Sequence, residues 1–245
     1  MRPPLKHIVL DTDPGVDDAI AFLLAFNSSE IKVEAVTTVA GNVNHTKGHR
    51  NAKKLLEFIG ATEVPICAGA EKPLIRVMSH AEEFHGTTGL GDAELPEPKM
   101  KTDPRNAVEM ILEKADELGK DLTLVAIGPL TNIASAILAD PELPEKVDKL
   151  VIMGGAFNLT PYGLGNANAV AEFNIWHDPE AAKIVFNSGL PIVAAGLDTT
   201  THPDYRMSVD MFNKIKAKKD RRSKLVVDLC SSLVEKFNGF SLHDP

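Results

Sequence analysis

Short apolar runs along the chain alternate with longer segments in which apolar residues recur every three to four positions, a pattern that places strands between amphipathic helices. The apolar runs predict strands at His7–Leu10, Val33–Val39, Pro65–Ala68, Leu122–Ile127, Leu150–Met153 and Ile192–Ala195. The helical periodicity predicts helices at Asp17–Phe26, Thr46–Ile59, Pro104–Leu118, Asn132–Leu138, Pro179–Asn187 and Ser223–Phe237. Asp103-Pro104 and Asp178-Pro179 read as helix starts, Asp capping and Pro filling the first helical position. The alternation implies an α/β protein with a Rossmann-like, open and mostly parallel sheet flanked by helices. Two Gly-containing stretches, Ser79–Thr102 and Gly154–Asn174, are too long for simple connectors and read as ligand-binding segments. In such a sheet the ligand lies beyond the carboxyl ends of the strands, so chemistry is expected just after each strand.

Length and composition narrow this picture. The 245 residues are 44% hydrophobic and 24% charged, which excludes disorder, collagen and coiled coil. A chain of this length buries roughly 70% of the surface its unfolded form exposes. No repeat or low-complexity linker divides it, so one domain over residues 1–245 is expected. A net charge of −8 argues against a nucleic-acid surface. The basic run Lys214–Lys224 reads as a solvated helix face. Cys67 and Cys230 stand far apart with no CxxC pair and give neither a disulfide framework nor a zinc site. The opening MRPPLKHIVL lacks the apolar core of a leader, and no apolar run reaches the roughly 18 residues that cross a bilayer. A cytoplasmic protein with no membrane partner is expected.

The acidic residues are unevenly spread, and that points to chemistry. Asp11, Asp13, Asp17 and Asp18 fall within eight residues at the end of the first expected strand. In a half-buried cleft they would repel one another unless a cation shared them. Their oxygen ligands suit Ca²⁺ or Mg²⁺ better than zinc. The plainer reading is that Asp17 and Asp18 only complement a helix N-terminus. Gly15 and Phe22 stand where an EF-hand needs ligands, so this is not one. A haloacid-dehalogenase phosphatase also places DxD after its first strand, but Gly15 departs from that pattern.

The segment Asp11-Thr12-Asp13-Pro14-Gly15-Val16-Asp17-Asp18-Ala19 resembles the signature of the inosine-uridine-preferring nucleoside hydrolases. Further segments match in order: Thr37-Thr38-Val39-Ala40-Gly41-Asn42, Ile127-Gly128-Pro129-Leu130-Thr131-Asn132, Met153-Gly154-Gly155 with Ala171-Glu172-Phe173-Asn174, and His243-Asp244-Pro245. The resemblance implies hydrolysis of the N-glycosidic bond of ribonucleosides to ribose and free base, with calcium as cofactor and a homodimer or homotetramer as the assembly. It implies that Asp13 binds calcium and takes a proton from the attacking water. Asp18, the main-chain carbonyl of Ile127 and Asp244 would be further calcium ligands. Asp17, Asn42, Asn166, Glu172 and Asn174 would hold the ribose hydroxyls, with Met153 beneath the sugar. His85 would contact the base or its loop, and His243 would protonate the leaving base. A non-catalytic nucleoside- or ribose-binding relative is the alternative.

Taken alone, some of these residues read more plainly. Asn42 and Gly128-Pro129 could be turn residues, and His243-Asp244-Pro245, like His177-Asp178-Pro179, reads as a helix start. Family members continue past His-Asp-Pro, so the resemblance implies a domain lacking their C-terminal segment, with His243 and Asp244 expected to be loosely held. Where many members carry tyrosines in the helix before that motif, this chain has Phe237 and Phe240, so the base preference stays open. His45, His49, His80 and His202 are expected at the surface or in loops, and Trp176 and the phenylalanines in the core.

Overall fold

The computed structural model describes residues 5–245; Met1–Pro4, the start of the opening read as lacking a leader, lie outside the described residues. The chain runs β1 (Lys6–Thr12), α1 (Val16–Asn27), β2 (Ile31–Thr38), α2 (His45–Ile59), β3 (Ile66–Ala68), α3 (Glu82–His85), α4 (Ala107–Leu118), β4 (Leu122–Ala126), α5 (Thr131–Ala139), α6 (Leu143–Lys146) and β5 (Lys149–Met153). It continues through α7 (Phe173–His177), α8 (Pro179–Phe186), β6 (Ile192–Ala195), α9 (Leu197–Thr200), β7 (Arg206–Met207), α10 (Val209–Lys218), α11 (Arg221–Phe237) and β8 (Phe240–Ser241). Six strands form one parallel sheet in the order β3-β2-β1-β4-β5-β6, and β7 pairs with β8 in a separate antiparallel ribbon. The order reverses between β1 and β4, and a crevice opens at such a switch point.

Alternation along the strands sends residues to two apolar layers. Ile8 and Leu10 join the layer that contains Phe22 of α1, Leu55 of α2 and Leu229 of α11. Val9 joins the other, with Met110 of α4, Ile133 of α5 and Val185 of α8. Each such side chain contributes about 1.5–3 kcal/mol on burial. Helices on both faces thus fix the carboxyl ends of β1, β4 and β5 side by side. No described helix is long and apolar enough to cross a membrane.

Several expectations from the sequence are corrected. The helix expected from Pro104 starts at Ala107: Asn106 Oδ1 accepts the Glu109 amide at 3.0 Å, and Glu109 Oε2 accepts the Asn106 amide at 2.8 Å. Asp103 instead receives the Arg105 guanidinium at 2.8 Å. Asp178 behaves as expected, capping α8 through the Ala181 amide at 3.0 Å. The basic run is split between α10 and α11 by Lys219, left-handed at φ 58°, and Asp220, which caps α11. His45 is buried on α2, its Nε2 3.0 Å from Thr38 Oγ1, and the His49 ring stacks on it. Trp176 is 37% exposed, and Phe157, Phe186 and Phe237 are exposed as well. His243–Pro245 form no helix.

Replacing Asn106 by Ala removes the side-chain acceptor of the Glu109 amide, one half of the capping box, and should cost about 1 kcal/mol, read as a lower urea midpoint at unchanged slope. An unchanged midpoint would show that α4 does not depend on this cap.

Candidate active site

The turn after β1 brings the carboxylates together. Asp18 sits in the first turn of α1, where its Oδ2 accepts the Gly15 amide at 2.8 Å and its Oδ1 accepts Thr12 Oγ1–H at 2.5 Å. Asp18 therefore does cap the helix, but Asp17 does not: its Oδ1 is buried without a hydrogen-bond partner among the described residues. Gly15 is required by close approach, since a Cβ there would stand 2.5 Å from His85 Nδ1. His85 Nδ1 accepts the Val16 amide at 3.1 Å and lies 3.8 Å from Asp17 Oδ1.

Asp13 is clamped between two loops. Its Oδ2 accepts the Asn42 amide at 2.8 Å, while Oδ1 is buried and has no partner among the described residues. A Cβ on Gly41 would lie 2.0 Å from Asp13 Oδ2, and one on Gly128 would lie 2.6 Å from Asp13 Oδ1. Asn42 is thus more than a turn residue, and its Nδ2 also donates to Asp18 Oδ2 at 3.0 Å. Asp11 points away, accepting Thr37 Oγ1–H at 2.6 Å and Asn132 Nδ2 at 2.8 Å, and burial pushes its carboxyl up to about 7.

The far side of the crevice is built by the loop after β5. Glu172 caps α7, its carboxylate accepting the amides of Asn174 at 2.8 Å, Ile175 at 3.0 Å and Gly155 at 3.1 Å. Asn174 Nδ2 donates to the carbonyls of Ile127 at 3.0 Å and Met153 at 3.1 Å. Asn166, at the exposed rim, accepts the Phe173 amide at 2.8 Å. From the end of the chain, Asp244 approaches until one oxygen each of Asp17, Asp18 and Asp244 lie within 4.8 Å of one another. His243 and Asp244 are half-buried. The β7–β8 ribbon and a contact of 2.9 Å between His243 Nδ1 and Thr200 Oγ1 hold this segment, which had been expected to be loose.

Among these groups lies a cavity of about 230 Å³, lined by Asp17, Asn42, His85, Ile127, Met153, Asn166, Glu172, Asn174, His243 and Asp244 together with Ala81, Phe84 and Phe173. Asp13 and Asp18 lie behind this lining. The sequence reading did not single out Ala81, Phe84 or Phe173 as lining, nor Thr12 and Thr200 as partners of Asp18 and His243. Thr12 and Phe173 lie within the motifs and Phe84 stands next to His85, whereas nothing in the sequence marks Thr200.

No lysine or arginine among the described residues lines the cavity, and the carboxylates feel it. Burial and the neighbouring Asp18 and Asp17 hold Asp13 well above the ordinary carboxylate range. Burial raises Asp18 and Glu172 as well, and burial followed by Asp17 and Asp18 raises Asp244 well above that range. Burial lowers His85 and His243. The unpartnered oxygens of Asp13 and Asp17 and the all-oxygen donor set fit a hard divalent cation, which would relieve this repulsion.

Buried carboxylates and side-chain amides thus converge on one cavity at the carboxyl ends of the parallel strands of an α/β fold. The chain belongs to the inosine-uridine preferring nucleoside hydrolase family, whose profile matches residues 8–245. It is 44% identical to the pyrimidine-specific ribonucleoside hydrolase RihA of Enterobacter sp. (strain 638), over 97% of this chain and 76% of that protein. It is 41% identical to uridine nucleosidase 1 of Arabidopsis thaliana, over 98% of this chain and 72% of that protein. Its fold superposes on the purine-preferring ribonucleoside hydrolase from Gardnerella vaginalis with a TM-score of 0.88 and 33% identity, over 98% of this chain and 78% of that one. The chain is thus an N-ribohydrolase by family.

Gly41→Ala should displace Asp13 without unfolding the sheet. Turnover should fall about 100-fold, the cost of roughly 1 Å of misplacement, with the circular dichroism spectrum retained. Full activity would show that the position of Asp13 is not critical.

Proposed function

We propose that the protein hydrolyses the N-glycosidic bond of ribonucleosides in a calcium-dependent reaction and prefers pyrimidine bases. One observation carries the reading: oxygens of Asp17, Asp18 and Asp244 converge within 4.8 Å at a cavity lined by Asp17, Asp244, Asn42, Asn166, Glu172, Asn174 and two histidines, with the buried, unpartnered Asp13 Oδ1 behind it. The pyrimidine preference is supported by the names of the curated relatives at 41–44% identity.

Asp13, Asp18, Asp244 and the Ile127 carbonyl would hold the cation, with Asp17 beside them. When bound, calcium supplies charge neutralisation for the carboxylates and Lewis acidity toward oxygen ligands. Asp13, whose Oδ1 is free, accepts a proton from the attacking water. Asp17, Asn42, Asn166, Glu172 and Asn174 bind the ribose hydroxyls and stabilise the positive charge that develops on the sugar as the C–N bond lengthens. Met153 packs beneath the sugar. Phe84 and His85 face the base, and His243 gives the departing base its proton. A histidine suits that task because small environmental changes move its proton across neutral pH.

Incubation with uridine, cytidine, inosine and adenosine, with and without EDTA, followed by chromatography for free base, tests the reading. Uracil and cytosine should appear fastest, EDTA should stop release, and Asp13→Ala should lower turnover at least about 100-fold. No base from any nucleoside would instead favour a binding protein without catalysis.

The shifted groups also set a pH signature. A raised carboxylate is protonated in the folded chain while already ionised in the unfolded one, so it lowers stability as pH rises towards its folded value. The lowered histidines act in the opposite sense, but only below about 6.5, their unfolded value. Above that pH, Asp11, pushed up to about 7 by burial, still ionises only in part in the folded chain, so the melting temperature of the metal-free protein should fall as the pH rises from about 6.5 through 7. Calcium should raise it more at pH 8 than at pH 6.5; an equal calcium effect at both would argue against carboxylate ligands of raised pKa.

A further inference from the structure

His243 enters the cavity from an irregular segment, and only one described side chain hydrogen-bonds its ring. Thr200 Oγ1 lies 2.9 Å from His243 Nδ1. Thr200 is the last residue of α9 and is 6% exposed. The short helix that carries it is fastened on several sides. The Leu197 amide donates to the Gly155 carbonyl at 2.8 Å, and the Thr200 amide donates to the Gly196 carbonyl at 3.1 Å. The Asp198 carboxylate accepts the amides of Phe157 at 2.8 Å, Leu159 at 2.5 Å and Thr160 at 2.9 Å. On the other side the chain reaches His243 from β8, where Phe240 and Ser241 pair with Met207 and Arg206. The ring therefore stands between a ribbon that sets its backbone and a rigid hydroxyl that sets its rotation.

We propose that Thr200 is a positioning residue for His243: its hydroxyl anchors Nδ1 and so turns Nε2 into the cavity, toward the departing base. The two ring nitrogens are not equivalent, and whichever is anchored leaves the other for chemistry. The inference rests on the reading of His243 as the proton donor. When the C–N bond breaks, its electron pair leaves with the base, water oxygen bonds the sugar carbon as the water's proton passes to Asp13, and the imidazolium proton on His243 Nε2 passes to the base. Nδ1–H keeps donating to Thr200 Oγ1 throughout, so the ring is held in the same orientation before and after the transfer. Without the hydroxyl the imidazole is free to rotate, and proton delivery loses its alignment.

The test compares two leaving groups. Uridine needs a proton on its base, whereas 4-nitrophenyl riboside releases nitrophenolate without one. Thr200→Val should lower kcat for uridine about tenfold or more, with KM within about twofold and nitrophenyl riboside hydrolysis within about twofold of the unaltered protein. Thr200→Ser, which restores the hydroxyl, should recover most of the uridine rate. If Thr200→Val does not fold, Thr200→Ala carries the same expectation. An equal loss on both substrates, or no loss on uridine, would overturn the positioning role. His243→Ala, measured in parallel, tests the underlying reading: it should lower uridine turnover by a much larger factor than nitrophenyl riboside hydrolysis. Equal effects of His243→Ala on both substrates would refute the proton-donor role of His243 and with it the proposal.

Discussion

Mutual repulsion among Asp13, Asp17, Asp18 and Asp244 is the constraint around which the rest of the structure is arranged. Buried charges of one sign cost several kcal/mol each unless they are paired, protonated or shared by a cation. Here no described lysine or arginine lines the cavity, and two of the carboxylate oxygens find no hydrogen-bond donor among the described residues. The fold holds them in place regardless, through amide and hydroxyl donors: Asn42 on Asp13 and Asp18, Gly15 and Thr12 on Asp18. Such donors orient a carboxylate without neutralising it, which leaves the charge available to a metal and to a cationic sugar.

The scaffold achieves this by close approach. Gly41 and Gly128 leave no room for a Cβ beside Asp13, and Gly15 leaves none beside His85. Because Asp13 follows β1, Ile127 follows β4 and Met153 ends β5, the parallel register of the three neighbouring strands becomes the geometry of the site. Asn174 ties two of those strand ends together through the Ile127 and Met153 carbonyls. Glu172 does two things at once, lining the cavity and capping α7, so the loop that carries the cavity-facing amides is folded by one of the cavity's own lining residues.

Much of this was legible in the sequence because the motifs sit directly after strands of clear period. Asp13, Asp17, Asp18 and Asn42 are local in sequence to β1 and β2, and the structure brings each to the crevice. Other features depend on partners that periodicity does not reveal. Asp103-Pro104 carries a good local start signal, but the Asn106–Glu109 reciprocal bonds start α4 later. His45 resembled a loop residue because its partner, Thr38, lies at the end of a preceding strand. The pair Thr200–His243 spans 43 residues and carries no local signature. His243 and Asp244 read as a helix start, whereas a two-residue ribbon and a threonine place them.

Burial and mutual repulsion raise Asp13, Asp18 and Asp244, so a divalent cation that binds them must displace protons. Calorimetric titration of calcium into metal-free protein at pH 7, repeated in buffers of different ionisation enthalpy, tests this most directly. The account predicts saturable binding of one calcium with release of about one proton or more, because protonated carboxylates must ionise to bind it. Absence of binding, or binding with no proton released, would contradict it.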